Sequence, residues 1–242
     1  MTGAVTPIFD LWVYLAASPL LWLTMTLGVF LLARAIAQRS GNHPLVNPIL
    51  LSIGIVVLIL GVTGTSYETY FEGAQFVHFA LGPATVALGV PLYRNRALVV
   101  SRWLPILAAL LVGSVTGIGS AIGLAAIFGL PQALQAAVAP KSVTAGIAMG
   151  IAQQINADPT LTAVFVIATG IIGAMIVTPL MNLLRIKDYA ARGFAAGLAS
   201  HGIGTAGAFQ VDSVAGAFAG LAMALNGLAT SLLAPLIIDW MR

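Results

Sequence analysis

The chain has 242 residues, of which 60% are hydrophobic and 7% charged, with 26 glycines and no cysteine. An average soluble domain carries roughly 25% charged residues, so this composition leaves too little polar surface to cover a water-soluble fold. The net charge of +3 and the pI near 9.6 rest on 10 basic and 7 acidic side chains, too few and too scattered for a nucleic-acid surface.

Uncharged runs of about 20 residues recur, the length that crosses a bilayer core. The fold class read from them is all-α: a polytopic integral membrane protein of about seven to nine transmembrane helices, some broken or re-entrant. Helices are predicted near 11–33, 45–64, 74–93, 103–128, 160–184, 191–211 and 214–238, with 131–157 assigned to no simple span. Met1 to Asp10 lack a basic region and a cleavage site, so no removable signal peptide is expected. Pro19 is placed to divide the first run into an interfacial piece and a span. Connections are short, so 1–242 reads as a single membrane domain, with 11–64 as scaffold helices and 65–242 as a core.

Basic residues cluster as Arg34 with Arg39, as Arg94, Arg96 and Arg102, as Arg185, Lys187 and Arg192, and as Arg242. Placing all of them in the cytoplasm puts the N-terminus in the periplasm and the C-terminus in the cytoplasm of a bacterial inner membrane. The count then closes if 131–157 makes no net crossing, or if one extra crossing lies between 103 and 140. A re-entrant or broken segment meets the first condition where protein or water satisfies its backbone. Lys141, the only formal charge between Arg102 and Asp158, lies within that segment. A lone ammonium at membrane depth costs roughly 3 kcal/mol on insertion scales, so it calls for a compensating use.

Pro83 to Val90 aligns with Pro140 to Ile147 at one constant offset, sharing proline, a hydroxyl residue, Val, Gly and a β-branched residue. This reads as an internal repeat with broken segments near 81–92 and 138–150, the spacing of a duplicated broken-helix module.

The runs Leu81-Gly82-Pro83-Ala84-Thr85-Val86-Ala87-Leu88, Pro140-Lys141-Ser142-Val143-Thr144, Ser200-His201-Gly202-Ile203-Gly204-Thr205-Ala206 and Gly220-Leu221-Ala222-Met223-Ala224-Leu225-Asn226-Gly227 resemble the LrgB/CidB family from about Asn47 to the C-terminus. The resemblance implies two functions. Bacterial members are holin/antiholin-like regulators of murein hydrolase export and lysis, with a small LrgA/CidA-like membrane protein as partner. A plastid relative is a glycolate/glycerate transporter, and some bacterial members are linked to pyruvate. Two positions depart from the family pattern: Ala145-Gly146 stands where many members have Thr-Pro, and Gly207 where a basic residue often follows.

The residues themselves favour a site for a small carboxylate. Lys141 after Pro140, at the start of a helical segment, adds a full charge to the positive end of a helix dipole. Ser142, Thr144 and Thr85 add hydroxyl donors suited to a hydroxy acid or keto acid. The alternative is that Lys141 snorkels to a surface while the hydroxyls cap helices. His201, among three glycines and followed by Thr205, either meets the substrate or carries a proton, or is satisfied by a backbone carbonyl. Asn226 either binds substrate or bridges helices.

The substrate-binding set is thus Thr85, Lys141, Ser142, Thr144, His201, Thr205 and Asn226. No span carries a paired acid, and no catalytic motif is present, so neither enzymatic activity, a metal nor a cofactor is expected. Glycine pairs such as Gly119/Gly123, Gly193/Gly197 and Gly216/Gly220 read as helix-packing surfaces, some of them serving a homodimer. The leading function is a secondary carrier of small monocarboxylates, with the lysis regulator as the other.

Overall fold

The computed structural model describes residues 18–41, 43 and 46–241, and these form eleven α-helices and no strand. The helices are α1 (Pro19–Arg39), α2 (Pro48–Thr63), α3 (Tyr67–Ala87), α4 (Gly89–Arg94), α5 (Arg96–Ser101), α6 (Trp103–Ile127), α7 (Gln132–Val138), α8 (Ala145–Gln154), α9 (Pro159–Leu183), α10 (Tyr189–Val211) and α11 (Ser213–Trp240). Five stretches are long and apolar enough to cross a membrane: α1, the run Tyr67–Arg94, α6, α9 and α11. The chain is a multi-pass membrane protein. On α11 a stripe of leucines points outward, with Leu228, Leu232 and Leu236 67%, 70% and 67% exposed, while Ala222, Asn226, Thr230 and Ala234 are buried. Large residues outside and small or polar ones inside is the pattern of a helix solvated by lipid.

The chain forms two compact units, Met1–Ala87 and Leu88–Arg242. In the first, Pro19 opens α1 at the position where its missing N–H costs nothing, so it starts the helix instead of dividing one. The interfacial piece expected before it lies outside the described residues. Gly73 lets α3 meet α1 at the fully buried Trp22, whose ring stands edge-on to Tyr70 at 6.0 Å. Pro83 lies inside α3, and the helix ends only after Ala87. The expected correspondence with Pro140, which sits between two helices, is not repeated in the backbone.

In the second unit the segment 131–157 is two short helices, α7 and α8, separated by the non-helical stretch 139–144. Thr162, in the first turn of α9, donates to the carbonyl of Ala137 at the end of α7 (3.0 Å). Ala157 and Ile238 share one apolar cluster with Ala136 and Ile122. The C-terminal ends of α6, α8 and α11 and the starts of α7 and α9 therefore gather at one face. The pair α7–α8 starts at that face and returns to it.

The second departure from simple spans is α10. Its dihedrals leave the helical region at Ser200 (φ −128°, ψ 17°) and His201 (φ 42°, ψ −131°). A β-carbon placed on Gly204 would lie 2.5 Å from the carbonyl oxygen of Ala196, eight residues back and about 12 Å away in a straight helix. The chain has reversed direction, and 189–199 and 202–211 lie side by side. Consistently, β-carbons on Gly193 and Gly197 would each lie 1.9 Å from the carbonyls of Ala215 and Ala219, so α11 runs parallel to the first half of α10 in close backbone contact. The Gly193/Gly197 pair is thus consumed within the chain, whereas nothing lies within 4 Å of the positions a β-carbon would take on Gly119 or Gly123.

The stretch 191–211, expected to cross, is a hairpin entering from the face opposite to α7–α8. The reversal is accommodated by glycines on both sides, Gly193, Gly197 and Gly204 within the hairpin and Gly170 and Gly173 on α9, where a side chain would collide with the packed tip or backbone. That face holds both basic clusters, joined by an ion pair from Arg102 to Asp188. Burial pushes the Asp188 carboxyl up, but hydrogen bonds from Arg102 and the Ala190 amide, with the Arg102 charge, outweigh it and hold it below the usual range.

Two outcomes are expected. Gly197→Val forces a branched side chain into the Ala219 carbonyl and lowers the melting temperature in detergent markedly, while Gly119→Ala leaves it unchanged. In this cysteine-free chain, single cysteines at Ser213 and Lys187 label from the same side of the membrane and one at Gln154 from the other; a continuous α10 would put Ser213 and Lys187 on opposite sides.

Candidate functional site

The tips of the two hairpins meet at the centre of the second unit, and one side chain joins them. Asn226, halfway along α11 and 1% exposed, donates from Nδ2 to the carbonyl of Ser142 in the α7–α8 break (3.2 Å) and to that of Leu198 just before the α10 reversal (3.0 Å). Its Oδ1 accepts from Ser114 on α6 (2.7 Å) and from Thr230 one turn along α11 (3.2 Å). An amide offers two donors and two acceptor lone pairs, and all four are used by protein. Of the two roles open to Asn226, the geometry displays the bridging one.

At the α10 tip the His201 ring Nε2 lies 3.0 Å from the carbonyl of Val166 on α9. A carbonyl only accepts, so Nε2 carries the hydrogen. The ring occupies space left by Gly170, where a β-carbon would stand 2.7 Å from Cε1. Thr205 donates to the His201 carbonyl (2.8 Å), tying the tip to the returning half-helix. A positive φ at a non-glycine residue costs about 1–3 kcal/mol and persists only where the surroundings over-determine it; the Val166 and Thr205 bonds do that here. Beside it the Ser200 hydroxyl, 1% exposed against Gly173, has no hydrogen-bond partner.

The α7–α8 tip is more open. Lys141 is half-buried, and its Nζ donates to Ser142 Oγ (3.2 Å). Ser142 Oγ lies over Gly117 of α6, 3.9 Å from where a β-carbon would stand. Among the described residues the ion pair present is Arg102–Asp188, and no carboxylate reaches Lys141. Thr144 is the N-cap of α8 with extended backbone, yet its hydroxyl makes no capping bond, leaving the first amides of α8 without a side-chain partner.

Lys141, Ser142 and Thr144 thus share one tip, with His201 and Thr205 on the other and Asn226 between. Thr85 lies on α3 in the other unit, and its side chain is outside the described residues. Ser114, outside the predicted set, completes the Asn226 amide; its signal in the sequence is a hydroxyl in the apolar run of α6 beside Gly113. No group of residues able to hold a metal ion occurs among those described.

Removing the bridge leaves two buried carbonyls without a donor. Asn226→Leu is expected to cost about 1–3 kcal/mol in detergent unfolding. Asn226→Asp is at least as damaging, because it sets a carboxylate oxygen against the Ser142 and Leu198 carbonyls. Lys141→Met, which breaks no ion pair, leaves the melting temperature nearly unchanged.

The LrgB-like family model matches residues 26–240. Holin-like protein CidB of Staphylococcus epidermidis is 31% identical over 218 residues, 90% of this chain and 95% of that protein. Holin-like protein CidB of Staphylococcus aureus is 30% identical over 220 residues, again 90% and 95%. A Bacillus subtilis protein, Uncharacterized protein YwbG, is 34% identical over 219 residues, 90% and 97%. No solved structure matches. Matched along nearly its whole length by the family model and by these relatives, the chain belongs to the LrgB-like family.

Proposed function

We propose that this protein is a secondary carrier of small monocarboxylates of the glycolate, glycerate, pyruvate and lactate type. The observation that carries the reading is Lys141: an ammonium group at a membrane-embedded helix break, held by a neighbouring hydroxyl and no carboxylate. A charge in that position is compensated when an anion arrives, and the uncapped start of α8 with the Thr144 hydroxyl offers further donors to the same carboxylate. Re-entrant segments entering from opposite faces and meeting midway support alternating access, since small shifts of either tip expose a central site to one side.

In this reading Lys141, Ser142 and Thr144 bind the substrate. Asn226, Thr205 and His201 hold the tips in position, and His201 retains the capacity to exchange a proton. The basic face around Arg102 and Arg185 is cytoplasmic. The α10 hairpin removes one crossing, so the end of α11 at Trp240 is periplasmic, in place of the cytoplasmic C-terminus inferred from a continuous span.

The second reading, a regulator of murein hydrolase export acting through a small holin-like membrane protein, is favoured by the holin-like names of the staphylococcal relatives. It gives no use to an unpaired Lys141. Uptake of labelled pyruvate and glycolate by purified protein in liposomes separates the two.

For the carrier, Lys141→Ala weakens carboxylate binding by about 1.5–3 kcal/mol, roughly tenfold to a hundredfold in Kd. Where charged His201 aids the anion, uptake falls as pH rises through its pKa, and His201→Gln flattens that profile. Normal uptake by a correctly inserted Lys141→Ala protein would place the site elsewhere.

A further inference from the structure

Beyond the central site, the second unit contains an open groove of about 660 Å³ between α6 and the first half of α10. Small residues spaced by four line much of it, Pro105, Ala109 and Gly113 on α6 and Ala191, Ala195 and Ala199 on α10, with Ile106, Phe194 and Phe218 completing an apolar wall. Four-residue spacing places each set on one helix face, and any large side chain at these positions would fill the space between them. At one end stand Arg102 and Asp188, with side chains 40% and 46% exposed, an ionised pair that needs water. At the other end is Leu198, whose methyls fill the notch at Gly113, where a β-carbon would lie 2.9 Å from Cδ2.

What lies behind Leu198 gives the groove its meaning. Its own carbonyl accepts from Asn226, and Ser114, next to Gly113, donates to the same amide. The groove therefore runs from the basic face to the polar centre, and one leucine side chain separates the two. We infer that this groove is the aqueous route by which a small carboxylate passes between the basic face and the site at Lys141 and Ser142, with Leu198 as its inner barrier. An apolar wall suits the short carbon chain of such a solute, and the ion pair marks the hydrated mouth. The inference rests on the carrier reading and deepens it.

The chain lacks cysteine, so Ala109→Cys and Ala195→Cys supply single probes that alter the walls by one small atom. A negatively charged methanethiosulfonate reacts only with a thiolate, which forms in water and not in lipid. Added at the basic face of proteoliposomes, it is expected to modify both within about tenfold of the rate at Lys187→Cys, and modification is expected to cut pyruvate or glycolate uptake by at least about tenfold. If a lipid-soluble maleimide labels both positions and the charged reagent neither, lipid or a partner helix fills the groove and the inference falls. It falls equally if both are modified and uptake continues unchanged. If the unmodified protein moves no carboxylate at all, the carrier reading fails first, and the labelling pattern then reports separately whether the groove holds water.

Discussion

Two carbonyls freed by chain reversal, those of Ser142 and Leu198, find their donor in one side-chain amide at the centre of a membrane protein. In lipid an unsatisfied backbone group costs several kcal/mol, so a break in a helix survives there only if something supplies the missing bond. Asn226 supplies it for both breaks at once. Because its oxygen is in turn held by Ser114 and Thr230, the amide cannot rotate without breaking other bonds. The crossing of α6, α11 and the two hairpins is therefore one cooperative polar assembly within an otherwise apolar unit.

The glycines make that assembly reachable. At Gly193 and Gly197 the α10 and α11 backbones approach until no side chain fits between them, and at Gly170 and Gly173 the surface of α9 is cut away to receive His201 and Ser200. Lipid tails are as apolar as leucine, so burying leucine does not drive helix association in a membrane; close packing and hydrogen bonds do. This explains why Leu228, Leu232 and Leu236 of α11 are turned outward while Ala215, Ala219, Ala222 and Ala234 are turned inward.

The two tips are built differently, and the difference matches their proposed roles. The α10 tip is over-constrained: His201 is held in a strained conformation by its ring and by the Thr205 bond to its carbonyl. The α7–α8 tip carries its charge on a half-buried lysine and leaves the Thr144 hydroxyl without a capping bond. A rigid tip facing one with donors to spare is an arrangement in which an anion adds bonds without breaking any.

The sequence alone determined the membrane setting, the positions of most helices and the absence of a simple span at 131–157. These follow from local properties: apolar length, charge spacing, and the cost of a lysine in lipid. It did not determine that 191–211 turns back, since a stretch of 23 residues with one histidine and four of its glycines beyond residue 196 has the length of a span in either case. The reversal depends on contacts with α9 and α11, far along the chain, which leave gaps sized for Ser200 and His201. Nor could it choose between substrate binding and bridging for Asn226, because an amide in an apolar helix needs partners of either kind. Only the tertiary structure supplies the bridging partners, by bringing Ser142, Leu198, Ser114 and Thr230, drawn from four separate elements, within reach of a single side chain.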